Sequence, residues 1–423
     1  MEFNILLVNP NRFKNPLVIP IGLEYLVSAL EKYDHNVDIL DLCFSESPEK
    51  KLTITLYEKP YDIVGFTIRN IDSLDYYKNE FFLPSIKPLI QCVKARSIPV
   101  VLGGSGFSAM PNEILEYLGA DFGIIGPGEA IFPCFLELFQ SQKVSEKIYD
   151  GWEYGLKDDL IHLRGSKFNY TKYLFENGIV GFETHKGCLS QCPYCIRAGS
   201  KTWFKKIPHI IEELRYLVDH GYINFQLCDD EFNSKLSFSI DFCKALIKAD
   251  LPLKWKLSMK PIPYNEDLFR LLDETNAYRI GIEISSYRRI QKLNGYTYSD
   301  LANVIEYCRK YQIELEIGVF VGYPYETLES VKYMINFFKN NPPTSVIIEI
   351  FYRIYNHTVL ADLIKKDASL QKNLIKPFSE ELSFLEPVFY NGFSQNVIEE
   401  LISKDDLFRI AWLTPEENYQ QTK

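Results

Sequence analysis

The stretch Thr184–Cys195, "THKGCLSQCPYC", sets Cys188, Cys192 and Cys195 within eight residues, in a chain whose other thiols stand singly. Three thiolates at C-x-x-x-C-x-x-C spacing can wrap one face of a cube of iron and sulfide and leave one iron open to an outside ligand. A cluster that only carries electrons usually takes four cysteines, so the absent fourth points to a site for a small molecule. Zinc competes, because His185 completes a nominal His/Cys₃ set. Structural zinc sites, however, draw their ligand pairs from separated turns, and closing a tetrahedron within so short a segment is difficult. Cys192–Cys195 is also a C-x-x-C redox pair, but such a pair wants a helix start, and Pro193-Tyr194 follow a loop. Cys228 tempts as a fourth ligand, although a single buried cysteine is usually a packing residue. The residues favour the cluster and leave zinc open.

Around this triplet the chain alternates strands and helices. Strand candidates "GIVGFET", "INFQLC", "LKWKLS", "RIGIEI", "IELEIGVF" and "SVIIEIFY" are separated by helical patterns such as "IIEELRYLVDHG" and "LANVIEYCRKYQ". Six strand–helix units predict an incomplete (β/α)₆ barrel, with chemistry at the carboxyl ends of its strands. The triplet follows the first strand, at that end.

An earlier alternation runs from Phe3 to about Gln140, through "NILLVN", "NVDILD", "DIVGFTI", "IPVVLGG" and "FGIIGPG". Continuous apolar strands between helices predict a parallel sheet covered on both faces, here a Rossmann-like, flavodoxin-like domain. Its strands end in Asn9, Arg69-Asn70, Gly103-Gly104-Ser105 and Gly126-Pro127-Gly128-Glu129. Ligands of such sheets bind at this rim, where glycines admit close backbone approach. No G-x-G-x-x-G opens the first helix, which disfavours a nicotinamide cofactor. The expected organisation is a domain over 1–145, a linker over 146–172, the partial barrel over 173–365 and a C-terminal capping region over 366–423.

Composition excludes several classes. The 423 residues are 46% hydrophobic and 24% charged, as in a globular protein. A net charge of −10 argues against nucleic acid as a principal partner. No apolar run is long enough to span a membrane, and the N-terminus reads as a strand rather than a signal peptide. Nine mostly isolated cysteines suit reduced thiols in a cytoplasmic compartment.

With its C-x-x-x-C-x-x-C and an aromatic, Tyr194, before the last cysteine, the chain resembles the radical S-adenosylmethionine (SAM) superfamily. "DDEFN" (229–233), "EISS" (283–286), "GYPYET" (322–327) and "RIYNHT" (353–358) follow in the order of that family's barrel motifs. "PIGLEYLVSALEK", "GGSG" and "ADFGIIGPGEAIF" are similar to its cobalamin-binding branch. The resemblance implies a [4Fe-4S] cluster on Cys188, Cys192 and Cys195. It implies SAM contacts at Tyr194, Asp230, Glu283, Ser285, Gly322, Pro324 and Arg353, and cobalamin contacts at Asn9, Arg69, Asn70, Gly103, Gly104, Ser105, Gly126 and Glu129. The D-x-H-x-x-G string that supplies a cobalt-ligating histidine does not occur. "TIRNID" is similar to the segment that sets an arginine below cobalt in the tryptophan 2-methyltransferase group, which gives Arg69 a catalytic role in tuning cobalt. A pairing of Arg69 with Asp72 is the plainer alternative.

The resemblance therefore implies a cobalamin-dependent radical SAM methyltransferase. Its methyl group passes from SAM through methylcobalamin to an unactivated carbon or phosphorus of a small-molecule or peptide substrate. An external donor such as flavodoxin or ferredoxin supplies electrons. Ring contraction or cyclisation without methyl transfer, and a non-catalytic cobalamin or iron–sulfur sensor, are the alternatives.

Overall fold

The computed structural model describes residues 2–14, 17–154, 164, 167–375, 384–403 and 405–411. It divides into two compact units. Among the described residues, the first takes those of 2–180 with Trp203–Tyr216, and the second takes Gly181–Thr202 and those of 217–411.

In the first unit, six parallel strands lie in the order Asn36–Asp41, Asn4–Asn9, Ile63–Thr67, Val100–Gly103, Phe122–Ile125, Ile148–Asp150. The five expected strands are present, and the sixth comes from within the stretch expected to be linker. At three residues, it is too short to carry a readable pattern. Ile5, Leu7, Val101 and Ile124 pack on Ile131, Phe132 and Phe135 of helix Gly128–Gln140. Strand order reverses between Asn4–Asn9 and Ile63–Thr67, which opens the crevice where sheets of this topology take ligands.

The second unit carries strands in the order Phe408–Ile410, Ser345–Glu349, Glu314–Phe320, Ala277–Ser285, Lys254–Ser258, Asn224–Leu227, Val180–Phe182, the first six of them parallel. The six expected strands are joined by a seventh from the region expected only to cap the barrel. That region also pairs Phe389–Tyr390 antiparallel with Tyr352–Arg353. Along Ala277–Ser285, Ile280, Ile282 and Ile284 are buried, while Arg279, Gly281 and Glu283 alternate with them on the other face. Trp255 stacks edge-on against Phe232 and Phe242, so Lys256 beside it faces the opposite way. Among the described residues no helix is long and apolar enough to cross a membrane.

One buried charge cluster ties part of a later helix to the first unit. Arg164 is enclosed, with Glu213 at 3.0 Å and Glu24 at 3.8 Å. Tyr170 donates to Glu24 at 2.5 Å, and Tyr25 to Glu213 at 3.0 Å. Glu213 lies on helix Ile207–Asp219, most of which the first unit thereby claims, although the sequence pattern assigns it to the barrel. Removing one member of a buried ion cluster leaves uncompensated charge in a poor dielectric. Arg164→Met is therefore expected to destabilise the chain by about 3–5 kcal/mol, read as a lower midpoint in urea unfolding followed by circular dichroism.

Candidate active site

The cysteine loop leaves strand Val180–Phe182 and is held in place by the acidic run that ends strand Asn224–Leu227. Asp229 accepts from the Thr184 backbone N–H at 2.8 Å and from the Thr184 hydroxyl, and it pairs with His185 Nδ1 at 2.9 Å. His185 Nε2 lies 3.3 Å from the Ser234 hydroxyl, so both ring nitrogens are engaged and the nominal zinc ligand is committed elsewhere. Gly187 has φ +93°, and a Cβ there would come within 1.9 Å of the Lys201 carbonyl oxygen, so only glycine lets the loop turn. Glu231, 2% exposed, accepts from Leu189 N–H at 2.8 Å and Ser190 Oγ at 3.0 Å. Asp230 takes Arg197 at 2.8 Å, beyond the last cysteine.

All nine cysteines are free thiols, so Cys192 and Cys195 do not form a disulfide. Burial pushes the thiols of Cys188 and Cys192 above their ordinary range and that of Cys195 to about 11. Thiolates at these positions need a cationic ligand to stabilise them. Asn294 Nδ2 approaches Cys192 Sγ at 3.8 Å, and Arg197 N–H approaches Cys195 Sγ at 3.4 Å. Among the described residues, no three His, Cys, Asp or Glu side chains gather closely enough for a single metal ion. A larger, multi-iron group on three thiolates fits this donor set. Cys228 points its sulfur at the Gln226 carbonyl, 3.6 Å away.

Beside the loop opens a cleft lined by Cys192, Tyr194, Lys260, Glu283, Ser285 and Tyr296, among others. The structure thus brings together Tyr194, Glu283 and Ser285, three of the expected SAM contacts. The Tyr194 ring packs on Phe320 at 4.9 Å and Tyr352 at 5.1 Å, forming an aromatic wall. Glu283 lines the cleft with its side chain open to it. Burial, with Asp230 nearby, raises its carboxyl above the ordinary range. Burial likewise raises Asp230, and Arg197 opposes it. Ser285 accepts from Tyr287 N–H at 3.2 Å and donates its own N–H to the Tyr296 hydroxyl at 3.1 Å. Gly322, at φ +83°, gives its N–H to Glu326 at 2.7 Å in a turn that also buries Pro324. The Arg353 guanidinium is taken up by the carbonyls of Ile354, Phe384 (3.0 Å) and Leu385 (3.2 Å), tying a strand end to the C-terminal region.

Two functional candidates escape the sequence reading. Lys260 lies 2.6 Å from Glu231 and lines the cleft. Burial pushes its pKa down, and the Cys188 and Cys192 thiolates push it back up. Asn294 holds Gln191 N–H at 2.8 Å as well as facing Cys192. Neither belongs to a string with a readable spacing. The third acid of "DDEFN", Glu231, is the only signal the sequence offers for this side of the loop.

On the rim of the first unit, Ser105 Oγ donates to the Arg69 carbonyl at 2.9 Å, joining two of the expected cobalamin contacts. Gly104 has φ +99°, and a Cβ there would meet the Ile68 carbonyl at 2.6 Å. Gly126, at φ +70°, lies under the Trp152 indole and donates to Ser108 Oγ at 3.0 Å. A Cβ at Gly103 would make ordinary van der Waals contact with the Ile124 carbonyl at 3.8 Å. Arg69 and Asn70 are half-buried, and Glu129 is buried in the first turn of its helix. Asp72, the alternative partner of Arg69, accepts from Leu74 N–H at 2.9 Å and the Asn79 amide at 3.3 Å. Asn9 donates to Asp41 at 2.9 Å and caps Asn11 N–H, a strand-end role. His35 sits against Phe3 N–H at the opposite end of the sheet, so it offers nothing to a ligand at this rim. Gly103, Gly104 and Ser105 thus gather with Arg69 at the strand ends, the rim at which sheets of this topology take ligands.

Comparison with known proteins follows the same division. A family model for the B12 binding domain matches residues 15–136, and one for the radical SAM superfamily matches residues 182–338. Tryptophan 2-C-methyltransferase of Streptomyces laurentii is 23% identical, over 78% of this chain and 69% of its own. Cytidylyl-2-hydroxyethylphosphonate methyltransferase of Streptomyces wedmorensis is 21% identical, over 67% and 65%. The solved structure of the methyltransferase TsrM from Kitasatospora setae, with cobalamin and a [4Fe-4S] cluster bound, superposes with a TM-score of 0.85 at 20% identity. The match covers 98% of this chain and 92% of that one. The cobalamin-dependent SAM radical enzyme OxsB gives 0.69 at 14% identity, over 95% and 66%. At these identities the structural likenesses establish the fold.

Each of Cys188→Ala, Cys192→Ala and Cys195→Ala is expected to abolish the visible absorption and bound iron that the unaltered chain acquires on anaerobic loading with iron and sulfide. Cys228→Ala is expected to retain both. Iron analysis and absorption spectra check the difference.

Proposed function

We propose that this chain, which belongs to the cobalamin-binding branch of the radical SAM superfamily, is a methyltransferase acting on a carbon or phosphorus of a small molecule. The observation that carries this reading is a loop of three cysteines beside a cleft lined by Cys192, Lys260, Glu283 and Ser285, in a chain that also matches the B12 binding domain. Both curated relatives are methyltransferases, one named for a carbon acceptor and one for a phosphonate.

Cys188, Cys192 and Cys195 would hold the cluster, and Glu283, Ser285 and the Gly322 turn would bind SAM. Tyr194, backed by Phe320 and Tyr352, walls the cleft against water. Arg69 would lie beside cobalamin and favour its electron-rich forms through fixed positive charge. Cobalamin, when bound, supplies a cobalt nucleophile that accepts a methyl group from SAM and passes it to an acceptor SAM alone would not alkylate. Electrons come from an external flavodoxin- or ferredoxin-type donor, and the free thiols suit a reducing cytoplasm.

The test is turnover with SAM carrying a deuterated methyl group, offered the acceptors for which the relatives are named. A deuteromethylated product with S-adenosylhomocysteine is expected. A rearranged, unlabelled product, or SAM left intact in the presence of both cofactors, contradicts the reading. In the same assay Arg69→Leu is expected to retain bound cobalamin yet slow label transfer by about 10–100-fold, the range typical of outer-sphere changes around a metal. Arg69→Lys is expected to lose less.

A further inference from the structure

The loop that carries the cysteines is in contact with an ion pair, its carboxylate buried and its ammonium partly so, that the proposed mechanism does not use. Glu231 offers one carboxylate oxygen to Leu189 N–H at 2.8 Å and the other to Ser190 Oγ at 3.0 Å. Leu189 and Ser190 are residues between Cys188 and Cys192. The second oxygen also takes the Lys260 ammonium at 2.6 Å. The side chain of Glu231 is 2% exposed and that of Lys260 19%.

Lys260 is fixed from behind as well. Its backbone N–H donates to Asn233 Oδ1 at 2.8 Å, and Asn233 Nδ2 donates to the Lys260 carbonyl at 2.9 Å and the Pro263 carbonyl at 2.7 Å. Asn233 is fully buried and fixes the Lys260 backbone, while Glu231 holds the amine in one place. That place is the wall of the cleft shared with Cys192 and Tyr194. The other two carboxylates of the run are engaged elsewhere, Asp229 by Thr184 and His185 and Asp230 by Arg197 at 2.8 Å.

We infer that Lys260 and Glu231 are a positioning pair that sets the reduction potential of the cluster, with the lysine charge favouring the reduced state and the glutamate opposing it. The inference rests on the cluster reading proposed above. Reduction adds one negative charge to the iron–sulfur group. A cation held beside its ligands therefore stabilises the product of reduction, and an anion destabilises it. Both effects are strengthened where protein replaces water. The two members of the pair thus act with opposite sign, although they touch the same loop.

That sign difference separates an electrostatic role from a merely structural one. The experiment is an anaerobic redox titration of the cluster-loaded full chain, followed by visible absorption and by electron paramagnetic resonance of the reduced cluster. At the potential where the unaltered protein is half reduced, Lys260→Gln is expected to lower the reduced-to-oxidised ratio by about tenfold, equivalent to about 59 mV for one electron. Glu231→Gln, which keeps an acceptor for Leu189 and Ser190, is expected to raise that ratio. Lys260→Arg is expected to stay near the unaltered value. Shifts in the same direction for the two glutamine variants, or less than about twofold for both, overturn the inference while leaving the cluster reading intact. Should Glu231→Gln fail to load, the comparison of Lys260→Gln with Lys260→Arg decides alone, and equal potentials for those two overturn it. Unaltered protein that takes up no cluster overturns both readings.

Discussion

Three consecutive acids hold the cysteine loop, and the chemistry of the second unit depends on them. Asp229 fixes the residues that enter the loop, Glu231 its middle and Asp230 the arginine that leaves it. A loop of this length would otherwise sample many conformations, each of which would set the three sulfurs apart differently. Ordering it carries an entropic penalty of roughly 1–2 kcal/mol per residue. Charge-assisted hydrogen bonds from the buried Asp229 and Glu231 offset that penalty, and the strand end that carries them is anchored by pairing with its neighbour.

The same economy of design operates at the sheet rim of the first unit. Strand ends bring Arg69, Gly104 and Ser105 together through backbone and hydroxyl hydrogen bonds, and the left-handed glycine permits the contact. In both units the residues proposed to carry function leave the carboxyl ends of strands. A sheet of this kind leaves its terminal carbonyl and N–H groups unpaired at that edge, where loops can turn them toward a ligand. The arrangement places two unrelated sites on one topological rule.

Much of this was legible before folding. Strands such as "NILLVN" and "RIGIEI" read as continuous or alternating apolar runs because they are covered on both faces or on one. The cysteine spacing is local and so survives in the sequence intact. Short or long-range features were not legible. Ile148–Asp150 and Phe408–Ile410 are too brief for a period to emerge. The allegiance of helix Ile207–Asp219 depends on Glu213 meeting Arg164, residues far apart in sequence. Lys260 and Asn294 reach the cysteine loop only through the fold. Asp230 shows the reverse case, a residue whose motif suggested a ligand contact and whose carboxylate pairs with Arg197. For Arg353, the motif position conveys nothing of the three carbonyls that surround its guanidinium.

The central claim is that a cluster of iron and sulfide is gripped by three cysteines and left open at its remaining iron. Mössbauer spectroscopy of the full chain, loaded with isotopically enriched iron and then given SAM or a SAM analogue, addresses it most directly. The account predicts that one iron of the cluster is distinguishable from its thiolate-bound neighbours, and that the added small molecule perturbs that iron selectively. A spectrum in which all irons are equivalent and indifferent to the addition, or a chain that takes up zinc in place of iron, would contradict it.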